Sequence, residues 1–584
     1  MQIELVLLWG AVKQPEKRRI AFRRCCSWLV VASVLTCVAP FVSSAVTGLS
    51  FLRTEGQDIL NEQGDKVLLR GVGLGNWMLP EGYMWKFGNQ GDRPRRIEKI
   101  VSDLIGPEDA GRFWTEFRNN YITEADIRRI AELGYNSVRP ALNSRLFLTE
   151  GDNPVRVEEG FRLLDNLVAW CRAHGVYVII DMHGAPGGQT GQNIDDSAND
   201  EPLLFMETKY QDQLVNLWRT IADRYKDEPT VAGYDLLNEP LPQRTGAAGK
   251  YRHLVEPLYK RITQAIREVD PKHMIILEGV DWANDWSIFT KRFDENLVYQ
   301  FHYYCWDTPA KLKGIQQYLE HRERLNAPVW VGETGERDNT IYWATTEYFE
   351  ANNIGWSFWP WKKLDANNAP FSIKRPQQWD AVADYSNGGA KPDKEVARKA
   401  FDELLANIRL ENCVYFPAVV NSMLRRAPAR IEAENFGQSG ANKSYHVTDA
   451  SRLSPQYRLS EPVPIESQTM GRRRSDQYIT LTDSEWTAYT IFCDVPKDFT
   501  VKVRVKAVKG AAEARLTVGD RDLEVKVGKS EWTDVKLGAV ALSRGSNSLK
   551  LLVKNGSVEV DWIELAVAQA DQQSSSLKSQ SEQN

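Results

Sequence analysis

Between Leu68 and Lys362 the chain alternates short apolar runs with segments whose apolar residues recur at helical spacing. Eight runs read as short buried strands: Leu68–Gly75, Tyr135–Leu142, Tyr177–Gly184, Val231–Asn238, His273–Gly279, Leu297–Tyr304, Pro328–Gly332 and Gly355–Trp359. In one intervening segment Leu163, Leu164, Leu167, Val168 and Cys171 fall on a single helix face, and Gly175 supplies a stop. Another helix is expected to start at Thr123 as N-cap, with Asp126 in its first turn, and to end at Gly134. Strand and helix alternating in this way predict an α/β fold, a closed (β/α)8 TIM barrel over residues 49–408. An open doubly wound sheet is the structural alternative, but no glycine-rich dinucleotide fingerprint follows the first strand.

After a last helix near Lys394–Ala406 comes a less regular connecting segment, 409–429, without the Ser/Pro composition of a flexible linker. From Arg430 the pattern changes to short alternating strands, among them Phe499–Val508, Glu513–Val518, Asp522–Val527 and Leu549–Val553. Residues 430–567 therefore read as an antiparallel β-sandwich. The tail, 568–584, is rich in Ser and Gln and is expected to be disordered.

Two of the barrel runs end in the same manner. Tyr234–Pro240 reads YDLLNEP and Pro328–Gly335 reads PVWVGETG, so Glu239 and Glu333 both stand where a buried strand leaves the core. A strand-end carboxylate can be half of a structural ion pair. Two of them suggest the acid/base and nucleophile of a glycosidase. In a (β/α)8 barrel, functional groups gather at the C-terminal ends of the strands. Those ends carry Trp77 and Glu81, Arg139, Asp181 and His183, Asn238 and Glu239, His302 and Tyr304, Glu333, and Trp359. Each has a bland reading: His183 as a satisfied core histidine, Arg139 as an ion pair, Trp359 as packing. Their joint placement at strand ends is harder to explain by packing.

Composition changes this picture little. The chain has 584 residues, 26% charged and 42% hydrophobic, with net charge −5. No long basic run follows the leader, so nucleic acid is not an expected partner. The 19 Trp are unusual, and several fall in predicted loops where they could stack on sugar rings. Trp282 and Trp286 of DWANDW, with Trp85 and Trp306, are candidate platforms. At the N-terminus Lys17, Arg18, Arg19, Arg23 and Arg24 precede an apolar stretch from Trp28 to Val42 and the small residues Ser43, Ser44 and Ala45. Residues 1–45 thus read as an export signal, with secretion to the exterior or cell envelope and no stable membrane span in the mature chain. Three of seven Cys lie in this leader, and the rest show no CxxC pairing, so neither a zinc site nor a disulfide framework is indicated.

The ordered motifs NSVRP (Arg139), DMHGAPG (His183), NEP (Asn238–Pro240), FHYY (His302, Tyr304), GET (Glu333) and GWSFWPWK (Trp359) resemble glycoside hydrolase family 5, cellulase-type retaining β-glycosidases, from Leu49 to Asn407. Leu74-Gly75-Asn76-Trp77 and DMHGAPGGQTG are more similar to its exo-β-1,3-glucanase branch. Pro140 directly after Arg139 departs from relatives, which usually place an aliphatic residue first, and it removes a ladder N–H. The resemblance implies Glu239 as general acid/base and Glu333 as nucleophile. Arg139, His183, Asn238, His302, Tyr304 and Trp359 would bind or support the substrate, a β-glucan, with no cofactor needed for catalysis. RIEAENF, EWTAYTIFCDVP and VEVDWIEL resemble carbohydrate-binding modules of the family 6/35 type. That implies a structural Ca²⁺ held by Glu432, Glu434 and Asp561 and a sugar platform at Trp532. The whole reads as a monomeric secreted β-glucanase. A non-catalytic polysaccharide-binding protein on a degenerate barrel, a mannan-active relative and a metal-dependent barrel hydrolase are the other readings. Linkage and endo or exo action stay open.

Overall fold

The computed structural model describes residues 48–568, apart from 244–245, 306–311, 313, 455–456 and 470–474. The expected leader, the tail from 569 onward and Trp306 lie outside the described residues.

Eight parallel strands close into a barrel: Arg70–Leu74, Ser137–Asn143, Tyr177–Gly184, Val231–Asp235, Met274–Glu278, Leu297–His302, Val329–Gly335 and Gly355–Trp359. They are called the first to eighth strands below. All eight expected runs are present, because strands covered on both faces must be apolar along nearly their whole length. The eighth strand closes onto the first, Trp356 pairing with Arg70 and Phe358 with Val72. Pro140 does not interrupt the second strand: it pairs with Leu74 on one side, and the register to the third strand shifts between Ala141 and Asn143. A short hairpin, Arg53–Glu55 and Asp58–Leu60, closes the N-terminal end of the barrel. Its Leu52 and Ile59 pack with Ile179, Ile276, Val298 and Trp330 in a small core of their own.

Local chemistry sets the helix ends. Helix Glu124–Glu132 opens with a capping box in which the Thr123 N–H and hydroxyl both donate to Asp126 Oδ2 at 2.9 Å. The other oxygen of Asp126 accepts from buried Lys362 at 2.8 Å and the Trp361 indole at 3.0 Å. Helix Glu158–His174 ends where Gly175 adopts a left-handed conformation (φ 69°).

Beyond helix Lys394–Asn407, residues Val414–Tyr415 pair with Phe371–Ile373, and helix Pro417–Met423 packs on helix Asn339–Ala351 of the barrel. Two antiparallel sheets follow. One contains Ile465–Thr469, Ser475–Thr482, Ser557–Val567, Lys497–Ala507 and Thr533–Leu542 in spatial order, with Ala429–Glu432 also pairing to Ser557–Val567. The other runs Tyr445–His446, Trp486–Cys493, Gly545–Asn555, Ala512–Val518, Arg521–Val527. Alternate residues such as Val501, Val503 and Val505 are buried and their neighbours face outward, the pattern of a sheet solvated on one face.

The closure seam carries a charge network. Glu350 accepts from Arg70 Nε and Nη2 at 2.8 Å each, from the Trp356 indole at 3.1 Å and from Arg425 Nη2 at 2.6 Å. Although burial opposes it, Arg425 and Arg70 hold this carboxyl down to about 2. A carboxyl depressed on folding stabilises the fold above its unfolded value, near 4.5, and that contribution disappears as pH falls toward 2. Glu350→Gln should therefore lower the urea-unfolding free energy at pH 7 by about 1–3 kcal/mol, and the deficit should shrink as pH falls from 5 toward 3. A deficit independent of pH would contradict this account.

Candidate active site

The C-terminal ends of the strands converge on Arg139. Its side chain is fully buried in the second strand, and its guanidinium bonds Asp235 Oδ2 (2.8 Å), Glu333 Oε1 (2.7 Å), Asn238 Oδ1 (2.9 Å) and Glu278 Oε1 (3.0 Å). Asp181 lies 3.2 Å away. Burial pushes the Asp181 and Asp235 carboxyls well above the usual range, against the pull of Arg139.

Glu333 is in the seventh strand and Glu239 lies just past the fourth. Glu239 takes a left-handed backbone (φ 44°), which a residue with a side chain rarely adopts. Its N–H donates to Glu278 Oε2 at 2.7 Å, an anchor for the strained turn. The remaining contacts join the two carboxylates. His302 Nδ1 is 2.7 Å from Glu239 Oε1 and 3.5 Å from Glu333 Oε2, and the Tyr304 hydroxyl donates to Glu333 Oε2 at 2.7 Å. Ligand atoms of Glu239, His302 and Glu333 lie within 4.8 Å of one another, so the nearest oxygens of the two carboxylates are no farther apart than that.

Their environments separate their protonation. Burial raises Glu239 to about 7 against the pull of His302, and the negative charges of Glu333 and Glu278 add to the rise. Glu333 is equally buried, but His302, Arg139, His183 and the Tyr304 hydrogen bond overcome that and lower it. Surrounded by Glu278, Glu333 and Glu239, the His302 imidazole is raised well above its ordinary value despite burial. His183 goes the other way, lowered to about 3 by burial. The Glu239–His302–Glu333 group has the donor types of a metal site. Arg139 and the His302 imidazolium already supply there the positive charge that a divalent ion would bring.

Above these groups opens a cavity of about 660 Å³. Trp359 forms one wall, stacked on His183 with ring centroids 5.2 Å apart and planes at 8°. Its indole N–H donates to the Tyr83 hydroxyl at 3.0 Å. Gly73 and Gly75 of the first strand region make that position possible, since a Cβ at either would lie 2.3 or 2.6 Å from the Trp359 ring. Glu81 also lines the cavity, with Oε1 buried and unbonded; burial and the nearby negative charges of Glu333, Glu336 and Glu239 raise its carboxyl well above the usual range.

Of the residues singled out in the sequence, His183, Glu239, Trp282, His302, Tyr304, Glu333 and Trp359 line this cavity, with Arg139 and Asn238 bonded beneath it. Trp286 does not: it is buried, packs against Tyr299, Phe301 and Tyr318, and donates to Ala283 O, so it is scaffold and not a sugar platform. Trp85 and Trp77 are likewise core. Glu278 is the important residue that sequence reasoning missed. It ends the fifth strand in LEG, the strand-end carboxylate signal already noted at Glu239 and Glu333.

In the C-terminal sheets Arg430 reaches two of the expected calcium ligands, Glu432 and, at 3.9 Å, Asp561. Glu432 pairs with Arg430 at 2.9 Å and accepts from Thr340 at 3.3 Å, whereas Asp561 pairs with Arg504 at 3.1 Å. Arg430 and Arg504 thus bring positive charge to Glu432 and Asp561. Trp532 is half-buried, edge-on to Tyr478, with Lys506 at 4.8 Å and Arg504 at 5.9 Å over its ring.

The family described as Cellulase (glycosyl hydrolase family 5) matches residues 107–365. A protein of Phanerodontia chrysosporium called beta-xylosidase is 30% identical over 351 residues, covering 54% of this chain and 71% of that protein. A probable glucan 1,3-beta-glucosidase A of Aspergillus fumigatus is 28% identical over 279 residues, covering 46% of this chain and 64% of its own, a little under two thirds. Among solved structures, an endogalactoceramidase aligns with 88% of this chain and 100% of its own at 16% identity and a TM-score of 0.45.

The charge arrangement itself can be tested without substrate. Arg139→Met should destabilise the fold by about 3–5 kcal/mol, because Glu278 and Glu333 would be left buried without their counter-charge. A melting temperature within a degree of wild type would contradict the central role of the guanidinium.

Proposed function

This chain belongs to glycoside hydrolase family 5, and from that premise we propose a retaining β-glucan hydrolase with Glu333 as nucleophile and Glu239 as general acid/base. One observation carries the reading: two carboxylates no more than 4.8 Å apart at their nearest oxygens, with opposite protonation preferences. Retaining enzymes hold their carboxyl groups about 5–5.5 Å apart, whereas inverting enzymes need about 6.5–9.5 Å to admit a water.

In the first step Glu333, ionised and held by Arg139 and Tyr304, attacks the anomeric carbon. Glu239 gives its proton to the departing glycosidic oxygen. A covalent glycosyl–enzyme results, and Glu239, now a carboxylate, takes a proton from the water that releases the sugar. The His302 imidazolium steadies Glu239 in that charged state through its 2.7 Å contact. Asn238, oriented by Arg139, would meet the sugar 2-hydroxyl. Trp359 supplies an apolar floor for the ring, and the neutral Glu81 carboxyl a hydrogen bond to a hydroxyl.

The relatives' names support β-linked glucose as substrate, with β-xylosides as a second class to assay. The basic-then-apolar leader supports secretion. The C-terminal sandwich would serve polysaccharide binding, a role that rests on the sequence resemblance. Among the described residues, no helix is long and apolar enough to cross a membrane.

Aryl β-glucosides, aryl β-xylosides and laminarin test the activity, and proton NMR of the first product formed tests the mechanism. The β-anomer should appear first, and early α-anomer would overturn retention. Glu239→Gln should lower kcat about 100- to 10,000-fold on substrates with poor leaving groups, while Glu333→Gln should abolish turnover with folding intact. The acid must be protonated and the nucleophile ionised. Activity should therefore fall as pH rises through about 7, where Glu239 loses its proton. It should persist below the usual carboxylate range on the acid side. A basic limb that Glu239→Gln leaves unchanged would remove Glu239 from its role.

A further inference from the structure

A second cavity, of about 830 Å³, adjoins the first, and Tyr83 and Asn193 belong to the lining of both. Its volume lies within the range of about 300–1,000 Å³ common for ligand clefts. The two spaces thus meet at Tyr83, a residue 38% exposed whose hydroxyl accepts from the Trp359 indole N–H. An exposed aromatic residue fixed where the two cavities meet is suited to stacking on a pyranose face.

The lining of the second cavity is polar and charge-balanced. Arg93 pairs with Asp92 at 2.9 Å and Asp200 at 2.7 Å, while Arg96 pairs with Asp200 at 2.8 Å and Asp92 at 3.2 Å. Two positive and two negative side chains sum to zero. An anionic chain would meet as much repulsion as attraction there, while a neutral hydroxyl-rich chain finds donors and acceptors together. These same pairs tie the start of helix Pro94–Ile105 to the segment from Gly187 to Asp200. Arg93 Nη1 also donates to Ser197 Oγ at 2.9 Å, and the Arg95 N–H to Asp196 Oδ1 at 2.9 Å. The walls are thus cross-braced before any ligand arrives, which reduces the ordering needed on binding.

We propose that this second cavity is a run of sugar subsites continuing the catalytic cleft across Tyr83, and that it selects neutral oligosaccharides longer than a disaccharide. The inference rests on the glycosidase reading above. It makes the catalytic cavity a passage open on the Tyr83 and Asn193 side and not a closed single-sugar pocket.

The test measures kcat/KM on an aryl β-glucoside and on laminari- and cello-oligosaccharides of two to five units. For wild type it should rise about tenfold or more from disaccharide to tetrasaccharide in at least one series, equivalent to about 1.4 kcal/mol of added transition-state binding. Asn89 is exposed on the cavity rim, outside the ion pairs described, and Asn89→Trp should plug the space. The variant should lose most of the rise and keep aryl β-glucoside turnover within about twofold. Calorimetry on Glu333→Gln gives a readout independent of the tryptophan variant: tetrasaccharide should bind about tenfold more tightly than disaccharide. Aryl glucoside hydrolysis with no length dependence, or a rise that Asn89→Trp leaves intact, overturns this inference alone. Wild type that cleaves no β-glycoside overturns the catalytic reading and the inference with it.

Discussion

Arg139 touches four buried carboxylates, and one cation cannot neutralise four anions inside a protein. The site resolves this by sorting protons. Asp181 and Asp235, fully buried, are raised well above the usual carboxylate range. Glu278 and Glu333 are lowered and stay charged. His302 is raised and supplies the second positive charge. With Arg139 and His302 favoured as cations, Glu278 and Glu333 as anions, and Glu239 raised to about 7, the shifts together lean toward a buried centre of little net charge. The proton on Glu239 is then part of the electrostatic balance: removing it would leave a third buried anion. The surroundings of Glu239 thus favour its protonated form.

Glu278 joins that balance to the backbone. One of its oxygens accepts from Arg139 and Gln300, at 3.0 and 2.6 Å, while the other accepts the Glu239 N–H. The positive φ of Glu239 needs compensation, and this hydrogen bond supplies it from the neighbouring strand. Moving Glu278 would disturb the charge sum and the aim of Glu239 together. Trp359 is positioned by an equally indirect device, two residues without side chains in the first strand region.

Much of this was legible in the sequence because it depends on strand burial. A parallel strand inside a ring of helices must be apolar throughout, so a carboxylate at its end stands out, and the eight strands and the pair Glu239/Glu333 were read from that contrast. Asp235 and Glu278 carry the same contrast but sit beside stronger motifs, and nothing in their local sequence says that they face Arg139. The tryptophans were less legible. Trp282 and Trp286 share one six-residue loop, yet Trp282 lines the cavity and Trp286 fills the core beneath it. The choice is made by three successive left-handed residues, Asp281, Trp282 and Ala283, which no hydrophobic period encodes. The arginines that pair with Glu432 and Asp561 were not legible either: Arg504 lies on another strand, and a motif match does not count counter-ions.

The C-terminal part bears on the barrel at the seam where its last strand meets its first. A barrel is only as closed as the seam between its last strand and its first, and here that seam pairs Trp356 with Arg70. Glu350 spans it, binding both residues, and sits on helix Asn339–Ala351, which leads from the strand of Glu333 to the closing strand. The third partner of Glu350 is Arg425, which also donates to Thr346 Oγ1 on the same helix at 3.1 Å. Arg425 belongs to the segment that leads into the sandwich, so the chain beyond the barrel completes the charge network that holds the barrel shut. The junction of the C-terminal part thus has a structural role at the strand pair adjoining Glu333.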